Sequence, residues 1–219
     1  SGQSFMVFVA AKVPQLWLLA FCYVLGSLSG SLILGKLRGV DIRNMGSGNA
    51  GGTNAFRTQG YKFALGVVII DVGKGLLAAY VAQKLFGNQH GAVYLAVFAA
   101  VVGHIWPVFH GFRGGKGAAT LVGGLCLVWP QALILLFTVW FFNLMLTGYV
   151  GLSTVLAALS LVLSAYLFQG DSVQWQFAIA SAILLTYSQR SNLQRTWQGN
   201  ESRFEKARVL GRLIFPNRG

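Results

Sequence analysis

The chain has 219 residues, 55% of them hydrophobic and only 10% charged, with a mean hydropathy of +0.61, whereas a soluble domain carries about 25% charged residues. That excludes an ordinary water-soluble globule and leaves an all-α, polytopic membrane protein, because about 20 apolar residues per helix cross a hydrocarbon core of about 30 Å. Seventeen Lys plus Arg against five acidic residues give a formal net charge of +12, so the expected partner is an anion or an anionic membrane surface.

Seven apolar segments follow one another near 15–37, 63–86, 92–109, 117–129, 131–147, 152–168 and 175–189. The fourth and seventh are short for full crossings and imply tilt, extension into flanking loops or a locally thin bilayer. The first runs through Leu25, Gly26, Ser27, Leu28, Ser29 and Gly30 without a cleavage-like end, so it reads as a retained span. Gly26 and Gly30 form a small-xxx-small pair that lets helices approach closely. In the second segment Asp71 and Lys74 stand three residues apart, and ionisable groups inside a membrane are expected to pair with each other or to face a polar cavity. Cys22 and Cys126 both lie in apolar runs, where cysteine packs as a small hydrophobe. No disulfide and no metal site is expected.

Alternating sides from the N-terminus collects 14 of the 17 basic residues on one face. They are Lys36, Arg38, Arg43, Arg57 and Lys62 in one loop, Arg113 and Lys116 in the next loop on that side, and Arg190, Arg195, Arg203, Lys206, Arg208, Arg212 and Arg218 in the tail. Lys12 and Lys84 fall opposite. The positive-inside bias makes this face cytoplasmic, with the N-terminus out, the C-terminus in and an odd number of spans, about seven. The chain reads as one membrane domain, 1–219, with a basic tail from about residue 190 that is polar enough for an interfacial helix.

The first basic loop contains Gly46, Ser47, Gly48, Asn49, Gly51, Thr53 and Asn54, flanked by Arg43 and Arg57. Dense glycines let successive N–H groups turn toward one point, the hydroxyls and amides add neutral donors, and the guanidinium forks match phosphate oxygens. A flexible solvated linker is the plainer reading, but a linker has no need of Asn and Thr between its glycines. The second loop carries His104, His110 and the run Gly114, Gly115, Lys116, Gly117 at the start of the next apolar helix. The expectation is an anion held by free N–H groups, the helix dipole and Lys116. Gly117 follows Lys116 where a nucleotide P-loop has Ser or Thr, which argues against an ATPase. Lys116 also suits a purely topological charge. His104 has two readings, a donor to ligand or a histidine satisfied by a neighbouring carbonyl. A third polar stretch follows the last span, with Asn192 and Arg195 one helical turn apart and Glu201 placed to orient a cation.

These stretches together resemble the bacterial acyl-phosphate:glycerol-3-phosphate acyltransferase family. The first matches its Gly-Ser-Gly-Asn-x-Gly-x-Thr-Asn-x-x-Arg motif at Gly46, Ser47, Gly48, Asn49, Gly51, Thr53, Asn54 and Arg57. The second motif is met at Gly103, His104, Pro107, Phe109 and Gly114 to Gly117, and the third at Asn192, Arg195, Gly199 and Glu201. Two positions depart from the pattern. Gln189 stands where the third motif has His, and Gly151 stands two residues after Tyr149 where the family has Ser, with Ser153 or Thr154 as nearby replacements.

The resemblance implies seven helices, a cytoplasmic site in the bacterial inner membrane, and acyl phosphate and glycerol 3-phosphate as partners beside membrane lipid. No cofactor, metal, nucleic acid or obligate protein partner is implied. It assigns catalytic work to Ser47, Arg57, His104, Lys116 and Asn192. Substrate binding falls to Gly46, Gly48, Asn49, Gly51, Thr53, Asn54, Arg43, Gly114, Gly115, Gly117, Arg195 and Glu201. The rival class is a membrane transporter of an organic phosphate, which also wants basic loops, but no internal repeat is visible and the polar residues crowd one face.

Overall fold

The structure is a computed structural model that describes residues 2–87 and 89–214, with side chains from Pro14 onward. Arg218 and the Lys12 side chain lie outside the described residues. All regular elements among them are helical, as a chain without water for its backbone requires. Contacts divide the chain at Val128 and Trp129 into two compact units.

In the first unit, α1 (Gly2–Gly26) stops at Ser27 to Ser29 and α2 (Gly30–Arg38) continues at an angle of 41°. The apolar segment near 15–37 is thus one broken helix. Gly39, at φ 67°, ends α2 and returns its N–H to Gly35 and Lys36 carbonyls, a left-handed cap open to glycine. A short α3 (Gly52–Gln59) leads to α4 (Tyr61–Phe86), whose 26 residues reach about 39 Å at 1.5 Å each. Next come α5 (His90–Ile105) and α6 (Ala118–Val128). The second unit holds α7 (Pro130–Thr147), α8 (Val150–Leu167), α9 (Ser172–Ser188), α10 (Arg190–Trp197) and α11 (Val209–Ile214). Asp171 and Gln174 form a reciprocal capping box at the start of α9.

Each of the seven apolar segments is helical. Among the described residues, α4, α7, α8 and α5 extended through His110 are long and apolar enough to cross a membrane alone, and the bent α1 and α2 pair makes a fifth where it is one span rather than a re-entrant loop. At 11 residues α6 is about 17 Å long, less than a hydrocarbon core.

Glycines set the helix crossings of the first unit. A Cβ on Gly26 of α1 would stand 2.0 Å from the Ala100 carbonyl oxygen of α5, and one on Gly103 of α5 would stand 2.0 Å from the Tyr23 oxygen of α1. The α4 and α6 pair repeats this, with Gly75 against the Thr120 oxygen and Gly123 against the Val72 oxygen, each at 2.0 Å. Gly26 and Gly30 do permit close approach, but to different helices, since Gly30 faces the Val67 oxygen of α4 at 2.8 Å. Cys22 is buried with Ala96 and Ala100, whereas Cys126 is exposed on α6 rather than packed. The tail is not loose. Its Phe204 N–H donates to the Gly148 oxygen at 2.7 Å, and Arg203 donates to the Tyr149 hydroxyl at 2.8 Å.

Replacing Gly103 or Gly123 by Val is expected to lower stability by about 1–3 kcal/mol through forced separation of paired backbones. Gly73→Ala, where a Cβ meets nothing within 4 Å, is expected to keep or raise it. Thermal unfolding of the detergent-solubilised variants checks the contrast.

Candidate active site

The first loop is built around one buried side chain. Asn54, in the second turn-residue row of α3 and 1% exposed, donates its amide to the carbonyls of Ile42 (2.9 Å), Met45 (3.0 Å) and Asn49 (2.9 Å). Its Oδ1 accepts the Ser47 N–H at 3.0 Å. Wrapping a chain this tightly needs positive φ at Gly46 (55°) and Gly48 (71°), and at Gly46 a Cβ would stand 2.3 Å from that same Oδ1. Ile42 anchors the loop in an apolar cluster with Ala55, Phe63, Ala64 and Val67, and Ser31 of α2 donates to the Ala50 carbonyl at 2.7 Å. Ser47 is left exposed at the turn, Asn49, Gly51 and Thr53 are half-buried, and Arg57 is exposed one turn along α3 from Thr53.

The second loop folds back on the end of α5. Gly114 N–H donates to the Ile105 oxygen at 3.1 Å and Gly115 N–H to the His104 oxygen at 3.2 Å. A Cβ on Gly114 would lie 2.0 Å from the His104 oxygen, and one on Gly115 would lie 2.2 Å from His104 Nε2. Gly117, at φ 87°, then turns the chain into α6, with Lys116 half-buried before it.

Arg43 joins the two loops. Its guanidinium grips the Asp41 carboxylate (Nη2 to Oδ2 2.7 Å, Nε to Oδ1 3.0 Å) and reaches across to the carbonyls of His110 (2.8 Å) and Arg113 (3.3 Å). Below them lie Asp71, Lys74 and His104, each 4% exposed or less. Lys74 Nζ is 3.1 Å from Asp71 Oδ1 and 2.7 Å from His104 Nδ1, and it donates to the Leu28 oxygen at 3.0 Å. Asp71 Oδ1 also accepts the Gly30 N–H at 3.0 Å. The charges of α4 thereby satisfy the backbone groups that the break between α1 and α2 leaves open.

In the second unit the third polar stretch forms a relay. Asn192 donates to Gln189 Oε1 at 2.9 Å, accepts from Arg195, and Arg195 Nε donates to Glu201 at 2.6 Å. Gly151 of α8 lies against Asn192, where a Cβ would come within 2.6 Å of both Cβ and Nδ2.

The model of the glycerol-3-phosphate acyltransferase family matches residues 16–199. The chain belongs to that family. A glycerol-3-phosphate acyltransferase of Aquifex aeolicus is 39% identical over 193 residues, covering 88% of this chain and all of that one. One from Thermoanaerobacter pseudethanolicus is 40% identical over 182 residues, covering 83% and 91%. Crystal structures of PlsY (YgiH), an integral membrane glycerol 3-phosphate acyltransferase, superpose at TM-scores of 0.83 for its glycerol 3-phosphate form and 0.82 for its lysophosphatidic acid form. They share 37% and 36% identity and cover 90% of this chain and 98% of theirs.

Several of the side chains expected at the site make contacts within the protein that spacing alone does not show. Arg43 binds Asp41 and the facing loop, and Asn54 gives its amide to three carbonyls, so both hold the loops in place. Gly114 and Gly115 likewise commit their N–H groups to α5, and their need for glycine is steric. Ser153 and Thr154 donate to the Tyr149 and Val150 carbonyls one turn back, at 2.8 and 2.9 Å, and the space of the missing serine at Gly151 is filled by Asn192. The pairing of Asp71 with Lys74 is as spacing required, but the contact with His104 is not legible, because it lies 30 positions away on the next helix. Asp41 also escaped notice, although an acid two residues before an arginine in a glycine loop is a usable signal.

The Arg43 guanidinium holds the Asp41 carboxyl below its ordinary range. A lowered folded pKa means that the clasp contributes fully above the unfolded carboxylate value of about 4 and is lost as pH falls through the lower folded one. Arg43→Ala is therefore expected to raise KM by roughly three- to tenfold, with kcat less affected, across about pH 5 to 8, through misplacement of the two loops. Steady-state kinetics against both substrates check this, and Asp41→Asn should behave alike.

Proposed function

We propose that the enzyme transfers a fatty acyl group from acyl phosphate to the 1-hydroxyl of glycerol 3-phosphate, giving lysophosphatidic acid and inorganic phosphate. The observation that carries the reading is the pair of glycine-turned loops, clasped by Arg43, in a member of the glycerol-3-phosphate acyltransferase family. Two loops suit two phosphorylated substrates. The solved relatives' glycerol 3-phosphate and lysophosphatidic acid forms support the acceptor and the product.

Acyl phosphate is a mixed anhydride with a good leaving group, so no covalent enzyme nucleophile is needed and the task is positioning and charge stabilisation. The acceptor oxygen attacks the acyl carbon, the bond from that carbon to the phosphate oxygen breaks, and the hydroxyl proton passes to an oxygen of the departing phosphate. Such a substrate-assisted transfer suits Gln189, whose amide cannot exchange a proton near neutral pH. Ser47, Thr53 and Arg57 take one phosphate, and Lys116 with the N-terminus of α6 takes the other. Asn192, steadied by Gln189, Arg195 and Glu201, polarises a reacting oxygen. The family model runs across both compact units, which supports treating the chain as one catalytic domain. Seven crossings with the basic loops and tail in the cytoplasm are supported by the apolar segments and the charge alternation, and a bacterial inner membrane by membership of the family.

Purified protein in detergent, supplied with acyl phosphate and glycerol 3-phosphate, should release phosphate and lysophosphatidic acid in equal amounts. Absence of product would overturn the reading in favour of phosphate transport. Lys116→Ala and Arg57→Ala should each lower kcat/KM at least about tenfold, equivalent to roughly 1.4 kcal/mol.

A further inference from the structure

Lys74 is 4% exposed and Asp71 and His104 are 1% and 2% exposed, so their protons must be shared within the group. An ammonium has three N–H donors, and Lys74 Nζ has three acceptors in reach. They are the Leu28 oxygen at 3.0 Å, Asp71 Oδ1 at 3.1 Å and His104 Nδ1 at 2.7 Å. His104 Nδ1 stands 3.5 Å from Asp71 Oδ1, beyond the usual 2.7–3.2 Å of an N–H to O bond. A carboxylate bonded directly to Nδ1 would place a proton there and leave Nε2 as a base, the arrangement of a hydrolase triad. Here the ammonium stands between them and reverses the polarity. An ammonium can only donate, so a ring nitrogen facing one accepts and a neutral ring then carries its proton on the other nitrogen; Nε2 faces Gly115 of the second loop, where a Cβ would come within 2.2 Å.

We propose that Lys74 is a positioning residue that keeps His104 neutral with its proton on Nε2, so that His104 serves the reaction as a hydrogen-bond donor at the second loop and not as a base. The use of that donor rests on the reading of the second loop as a phosphate cradle; the proton's location does not. A neutral imidazole donor can stabilise charge developing on an oxygen. It also keeps the step free of a proton that the substrates themselves can transfer. Gly115 is part of the same device, because any side chain there would displace the ring that Lys74 holds.

The test is ¹⁵N NMR of the full chain labelled at histidine and held in detergent. The chain has three histidines, His90, His104 and His110, and His104→Gln identifies the His104 signals by their loss. The expected spectrum shows a directly bonded proton on Nε2 of His104 and none on Nδ1. A proton on Nδ1, or on both nitrogens, overturns the proposal, and this wild-type measurement decides even if a variant fails to fold. In Lys74→Met, the proton should redistribute toward Nδ1 and kcat should fall roughly ten- to a hundredfold, with KM for glycerol 3-phosphate within about threefold. Retention of both the Nε2 proton and kcat in folded Lys74→Met would also overturn it. If wild-type protein shows the Nε2 proton but no acyl transfer, the function reading fails while the tautomer assignment stands.

Discussion

The Lys74 ammonium is the interaction on which the first unit depends. A lone charge at this depth is expensive, and removing one partner of a buried pair costs about 3–5 kcal/mol. The structure meets that cost with three acceptors drawn from three places: a backbone carbonyl at the break between α1 and α2, a carboxylate on its own helix, and an imidazole on α5. Asp71 completes the set by taking the Gly30 N–H. A broken helix inside a membrane exposes polar backbone that lipid cannot satisfy. The charge pair and the break are therefore one feature, each making the other tolerable.

From that centre the loops follow. His104 is fixed from below by Lys74 and from above by Gly115, and the carbonyl of His104 holds the second loop through the Gly115 N–H. Arg43 then ties the second loop to the first, and Asn54 keeps the first wound into a turn. Polar side chains with apparent ligand chemistry are spent on internal order. Ser47 and Arg57 are exposed at the surface of the first loop. Such division suits an enzyme that works by placement, since a phosphate cradle displaced by about 1 Å loses much of its effect.

The second unit repeats this economy with an amide pair and an ion pair. Gln189 accepts from Asn192 and Glu201 restrains Arg195, so the amide and guanidinium have set orientations before any ligand arrives. Gly151 clears the space that Asn192 occupies. The two departures from the family pattern, Gln189 and Gly151, thus lie on either side of the same asparagine, a neighbourhood that 41 positions of sequence conceal.

Hydropathy alone located every apolar helix, and charge alternation grouped the basic loops, because both are local properties summed along the chain. The three motifs were legible for the same reason: glycine density and residue type survive without coordinates. Pairing of Asp71 with Lys74 also follows from helical spacing. What spacing cannot convey is which donors are already used. Arg43, Asn54, Gly114 and Gly115 carry the right chemistry for an anion, yet, beyond the Asp41 carboxylate beside Arg43, their partners are carbonyls that only folding brings within 3.3 Å. Nor does sequence tell that a histidine ring nitrogen meets a lysine from another helix at 2.7 Å. Composition and order determined a helical membrane protein with basic glycine loops, and the resemblance of its motifs supplied the acyltransferase family. Tertiary structure decided which polar groups hold the loops together, because a hydrogen-bond donor has a limited number of protons and packing allocates them.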